Sequence, residues 1–308
     1  MSSTHEWLQG CATALVTPFQ AGGAVDEPRM KALVERQIAG GVKLLVPCGT
    51  TGERATMDDA EGRRVIELTI QVAGSRARII AGAGSNNTAH AIHQAREARS
   101  LGADAVLIVA PYYNKPTQDG MLAHFRAVAE AVAPLPVVLY NVPGRTSSTI
   151  EAATTLKLAR EVPNIVAVKE ASGNFGLIMT ILKDRPAGFR VFSGDDAVTL
   201  PLIALGADGI ISVVSNEVPD LMARMTDLAL AGQWDEARAL HYRLLPLMDA
   251  NFIESSPGPV KAAMAMMGLL EEQFRLPLVP VKDATRQKMM DTLSVLGLLS
   301  GKKAHAAA

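Results

Sequence analysis

The sequence predicts an α/β chain, a (β/α)₈ TIM barrel followed by a C-terminal helical extension. Three observations carry that prediction. Short apolar segments recur through the first two thirds of the chain, each followed by a helical pattern. They mostly lack polar alternation, as expected for parallel strands buried on both faces. The 308 residues are enough for such a barrel, which needs about 250, with a remainder left over.

In order, strands are expected at residues 12–17, 44–48, 78–83, 105–110, 137–141, 165–169, 191–194 and 210–213. Asp26-Glu27-Pro28 reads as a cap, an acidic first turn and an early proline, and Gly40-Gly41 stops that first helix. Thr56 followed by Asp59 resembles a capping arrangement for the second. Asn87-Thr88 opens the third and Gly102 closes it. An open doubly wound sheet is the alternative, but no Gly-x-Gly-x-x-Gly follows the first strand. After Val213 the strand signals stop. Helices are expected at 221–231, 235–248, 260–268 and 284–298, with Ser255-Ser256-Pro257-Gly258-Pro259 as a break. The chain therefore divides into a catalytic barrel over 1–232 and an extension over 233–308 that shapes the subunit and its contacts. The tail from Lys302 to Ala308 reads as frayed.

Composition narrows the function. Lys+Arg is 30 and Asp+Glu is 31, so no basic footprint marks nucleic acid as the main partner. The start lacks the basic-then-apolar order of a signal peptide, and no apolar stretch is long enough to span a membrane. Cys11 and Cys48 both lie in apolar runs and read as reduced core residues, consistent with a cytoplasmic enzyme.

Barrel enzymes place their chemistry at the carboxyl ends of the strands. There the sequence puts Gly49-Thr50-Thr51-Gly52-Glu53, Tyr112-Tyr113-Asn114, Tyr140 to Thr146 with Arg145, Val168-Lys169-Glu170 and Ser193-Gly194-Asp195-Asp196. Lys169 closes an apolar strand. One reading is a lysine snorkelling to solvent. The other is an amine among apolar walls, where desolvation disfavours ammonium and a neutral amine attacks a ketone to give an iminium. That chemistry calls for no metal and no organic cofactor. Thr50-Thr51 reads either as a hydroxyl-capped turn or as a cradle for a small carboxylate. Tyr140 is a core residue or a proton relay, and Arg145 a surface arginine or a fork for a substrate carboxylate. His90 and His93 read as exposed helix residues, and Asp195-Asp196 as caps for the next helix.

Together, 49–53, 140–146 and Val168-Lys169-Glu170-Ala171-Ser172-Gly173-Asn174 resemble the dihydrodipicolinate synthase / N-acetylneuraminate lyase family, over about residues 10–299. The resemblance implies a homotetramer, a dimer of tight dimers, that condenses pyruvate with L-aspartate 4-semialdehyde to 4-hydroxy-tetrahydrodipicolinate. It implies that Lys169 forms the Schiff base and that Tyr140, Thr50 and Tyr113 relay protons, with Tyr113 entering the neighbouring subunit's site. Thr51 then holds the pyruvate carboxylate, Arg145 meets the semialdehyde carboxylate, and Gly194 and Ile211 line the site through backbone groups. Another pyruvate-dependent aldolase or hydratase of the family is the alternative, and a catalytically silent metabolite-binding barrel is a third. Lysine-sensitive family members carry a feedback pocket whose matching positions are Arg54, Ala55, Asp59, Gly62, Asn86, His90 and Tyr112. His90 stands where a glutamate usually meets the α-ammonium, which implies weak or absent feedback.

Overall fold

Eight parallel strands close into a barrel in sequence order. The computed structural model describes residues 5–299. The strands are β1 (Gly10–Ala14), β2 (Leu44–Val46), β3 (Arg78–Gly82), β4 (Ala105–Val109), β5 (Val137–Asn141), β6 (Ile165–Glu170), β7 (Arg190–Ser193) and β8 (Gly209–Ser212). Between them run α1 (Glu27–Ala39), α2 (Asp59–Ala73), α3 (Thr88–Leu101), α4 (Gln118–Val132), the short α5 (Pro143–Thr146), α6 (Ala152–Glu161), α7 (Phe175–Asp184) and α8 (Thr199–Ala204). Beyond β8 come α9 (Pro219–Leu230), α10 (Trp234–Ala250), α11 (Gly258–Met266) and α12 (Asp283–Val295).

All the expected strands form, and closure excludes the open sheet. The first begins two residues earlier than its apolar run suggests. The barrel closes where Gly10 pairs with Gly209, and a Cβ on Gly209 would stand 2.0 Å from the Gly10 carbonyl oxygen. Only backbone without side chains permits that approach. Residues 15–17 fall beyond the strand: Leu15 N still donates to Val46 O, but Val16 N turns to Asn216 Oδ1 and Thr17 Oγ1 donates to Gly52 O.

The helix ends follow local chemistry. Asp26 caps α1 by accepting from Arg29 N, and Asn87 caps α3 through Ala89 N and His90 N. The expected pairing of Thr56 with Asp59 does not form. Asp58 caps α2 and exchanges bonds with Glu61 in a capping box, while Thr56 Oγ1 donates to Glu53 O. A glutamate one turn in reaches back to the cap nitrogen better than a shorter aspartate does.

Burial splits by strand parity, as a pleated barrel requires. Ala12, Ala14, Leu44, Val46, Ile80, Leu107, Val138, Tyr140, Ala167, Phe192 and Ile211 pack together inside the barrel. Their strand neighbours Leu45, Ile79, Ala81, Val106, Ile108, Leu139, Val168, Val191 and Ile210 pack outward against the helices. A register shift between β5 and β6 at Val137/Val138 brings Tyr140 beside Lys169. Cys11 and Cys48 are free and buried. Among the described residues no helix is long and apolar enough to cross a membrane. The tail from Lys302 onward lies outside the described residues.

Candidate active site

Strand parity decides which residues face the barrel axis. On β6, Lys169 shares the inward face with Ala167, while Val168 and Glu170 face outward. Its register partners are Tyr140 on β5 and Phe192 on β7. Lys169 is 5% exposed, and its Nζ lies 4.4 Å from the centroid of the Tyr140 ring. No hydrogen bond or ion pair ties that amine to any described residue. The snorkelling reading therefore fails: the side chain points into the barrel.

Space around Lys169 is kept by Gly194, one residue past β7. A Cβ there would meet Ala171 Cβ at 2.7 Å and Lys169 Cε at 3.1 Å. Gly194 N donates to Glu170 O at 2.7 Å, which pins this loop to the end of β6. Ile211 on β8 is fully buried in the inner cluster with Tyr140 and Phe192.

The loop after β2 is framed by two non-glycine residues with left-handed backbones, Cys48 (φ 59°) and Glu53 (φ 57°). Such strain persists only where surroundings over-determine it, and it concentrates at functional sites. Thr51 is buried, while Thr50 is exposed and lines a cavity of 390 Å³. Tyr140, Val142 and Arg145 line the same cavity. Arg145 sits on α5, and its Nη2 donates to Ser256 O at 3.1 Å, in the proline-rich break between α10 and α11. Tyr113 is apart from this group. It is 89% exposed, with φ 72°, and like Lys169, Thr51, Gly194 and Ile211 it is not part of the cavity lining.

On the outer face of β6, Glu170 accepts from Asn141 Nδ2 at 2.8 Å and Ser172 Oγ at 2.7 Å. Burial pushes its carboxyl up to about 7 against the pull of those two bonds. It holds the loop after β6 and does not face Lys169. Asp196 is a correction to the capping expectation. It accepts from Ser212 Oγ, Val213 N and Val214 N, and α8 begins without a side-chain cap. The residue thus fixes the end of β8, and burial raises its carboxyl to about 6.

Two site-supporting residues are not singled out by the sequence reading. Glu53 and Lys261 form an ion pair at 2.5 Å with both side chains fully buried. The signal was there, since Lys261 is the one charge in the apolar run of α11. The segment beyond the barrel thus reaches the strand-end face at Arg145 and at Glu53.

The outer part of the cavity is lined by Arg54, Ala55, Ser85, His90, Gln94 and Tyr112. The Asp59 carboxylate beside it accepts from Arg54 Nη2 at 2.6 Å and lies 3.1 Å from His90 Nε2. Burial raises that carboxyl, but hydrogen bonds from His90, Arg54 and Gln94 outweigh it and hold it at about 2. His90 is therefore more engaged than a free helix residue, while His93 stays exposed.

Comparison with known proteins decides the family. The model of the dihydrodipicolinate synthetase family matches residues 7–296. The chain belongs to this family. A 4-hydroxy-tetrahydrodipicolinate synthase of Koribacter versatilis is 52% identical over 95% of this chain and 97% of that protein. The crystal structure of dihydrodipicolinate synthase from Aquifex aeolicus superimposes with a TM-score of 0.93 at 42% identity, covering 96% of this chain and all of that one. A chloride-inhibited dihydrodipicolinate synthase from Acinetobacter baumannii, complexed with pyruvate, gives 0.92 at 41% identity, over 94% of this chain and 99% of that one.

Proposed function

We propose that Lys169 is the Schiff-base lysine of a lyase that condenses pyruvate with L-aspartate 4-semialdehyde to 4-hydroxy-tetrahydrodipicolinate, in lysine and diaminopimelate biosynthesis. The observation that carries this reading is an uncommitted amine, buried at the carboxyl end of β6 against a tyrosine face. The amine adds to the pyruvate keto carbon and water leaves, giving an iminium. The iminium draws electrons from the adjacent methyl group, which loses a proton to become an enamine. The enamine carbon attacks the aldehyde of the second substrate. The amino group of the condensed chain then attacks the iminium carbon, closes the ring and frees Lys169.

Tyr140 relays protons to and from the adduct with Thr50, both being on the cavity wall. Thr51 binds the pyruvate carboxylate, and Gly194 and Ile211 line the site through backbone groups. Arg145 meets the semialdehyde carboxylate with its planar fork, steadied by Ser256 O. Tyr113 completes the relay from a neighbouring subunit. Its exposure and strained backbone fit a residue that finds its partners across an interface. We assign the chain to a cytoplasmic homotetramer built from tight dimers, with a barrel over 1–232 and an extension over 233–308.

A substrate panel on wild type and Arg145→Ala tests the second substrate. The variant should still bind pyruvate covalently, while condensation with the semialdehyde falls about 10²-fold, the loss of a charge-assisted contact worth roughly 3 kcal/mol. Full condensation by the variant, with preference for a sugar-derived aldehyde, would favour another aldolase of the family.

A further inference from the structure

Residues 49–53 form a coil that carries Thr50 and Thr51. Gly52 N donates to Gly49 O, Glu53 N to Thr50 O and Arg54 N to Gly49 O, so a shift at Glu53 is passed directly to Thr50. Glu53 is the charged end of this coil, and its carboxylate points away from the cavity into the C-terminal segment. There Lys261 Nζ meets Glu53 Oε1 at 2.5 Å and also donates to Gln273 O at 2.6 Å. The ammonium lies 4.6 Å from the centroid of the Phe19 ring and 4.9 Å from that of Phe274. Burial pushes the lysine's affinity for its proton down, and the Glu53 carboxylate draws it back up.

A dry ion pair is a poor device for stability alone, because an apolar pair of similar volume often serves as well. What it adds is a fixed geometry. Glu53 needs one, because its left-handed backbone must be held by its surroundings. We propose that Lys261 is a positioning residue for pyruvate recognition: through Glu53 it sets the conformation in which Thr51 meets the pyruvate carboxylate and Thr50 faces the cavity beside Tyr140. The inference rests on the pyruvate reading above. It makes α11, outside the barrel, part of the substrate site.

The test compares Lys261→Met with the double variant Glu53→Gln/Lys261→Met, reading melting temperature and the pyruvate concentration that half-saturates borohydride trapping at Lys169. Lys261→Met takes the counter-charge from a buried carboxylate and leaves it only the long bond from Arg275 N at 3.4 Å, so both readouts should worsen. The pyruvate requirement should rise about tenfold or more, the equivalent of one charge-assisted hydrogen bond. The double variant removes both charges. It should recover melting temperature towards wild type while keeping the raised pyruvate requirement. Recovery of both readouts together, or a wild-type pyruvate requirement in either variant, would overturn the positioning role. If Lys261→Met does not fold, the double variant alone decides. A wild type that traps no pyruvate would overturn the pyruvate reading itself, and so is distinguishable from a failure of the inference.

Discussion

Two buried lysines face opposite fates in this chain. Lys261 is fully buried and committed to a carboxylate, a carbonyl oxygen and two aromatic rings. Lys169 is 5% exposed, and among the described residues its amine has no hydrogen bond or ion pair, only the Tyr140 ring face at 4.4 Å. Burial alone therefore does not mark a nucleophile. A buried lysine with a full set of acceptors is a structural ammonium, while one without acceptors has an amine available to a carbonyl carbon. The nearest carboxylate in sequence to Lys169 is Glu170, and strand alternation turns it to the opposite face of β6.

Replacing each lysine by methionine should separate the two most widely. Lys169→Met is expected to lose all condensation activity yet keep stability within about 1.5 kcal/mol, because it exchanges an unpartnered amine for a well-fitting apolar chain. Lys261→Met should lose about 3–5 kcal/mol, because it strands the Glu53 carboxylate in the interior. Urea denaturation of both variants checks this. Equal destabilisation would show that Lys169 is also held by a partner.

The Glu170 side of the comparison has a pH signature. Its folded-state carboxyl lies at about 7, above its ordinary 4.5. The folded state therefore holds that proton while the unfolded state releases it. Its contribution to stability is present at and below pH 4.5 and is lost as pH rises through about 7. Relative to Glu170→Gln, the wild type should lose on the order of 3 kcal/mol across that window. Denaturation series at several pH values measure the difference, and a constant gap would contradict the assignment. Glu170→Gln should also keep pyruvate trapping at Lys169, since the carboxylate faces the other way.

How much of this was legible in the sequence follows from range. Lys169, Tyr140 and Thr50 could be put at strand ends because parallel strands are read from apolar runs, while the roles proposed for them came with the family resemblance. The caps at Asp26 and Asn87 are likewise local. Partners distant in sequence were not legible. Lys261 finds Glu53 across 208 positions, and Arg145 finds Ser256 across 111. Asp196 was read as a cap because its bond to Ser212 depends on the pairing of β7 and β8. The early start of β1 came from the glycine seam at closure, which no single segment reveals.

The smallest expected effect concerns feedback by L-lysine. Asp59 is already occupied by Arg54 and His90, and Arg54 lies over Gly62, whose Cβ would come within 2.9 Å of the guanidinium carbon. An incoming ammonium finds no free carboxylate there. Millimolar L-lysine should inhibit weakly or not at all, and His90→Glu should raise sensitivity by restoring a fixed negative charge. Strong wild-type inhibition at submillimolar lysine would show that Asp59 is freed when the ligand arrives.

The most direct measurement is reductive trapping. Incubation with pyruvate and borohydride, followed by peptide mapping by mass spectrometry, should place one reduced pyruvyl group per chain on Lys169, and Lys169→Arg should abolish it because a guanidinium stays protonated. A label on Lys261, Lys115 or Lys183, or no label at all, would contradict the division of labour between the two buried lysines.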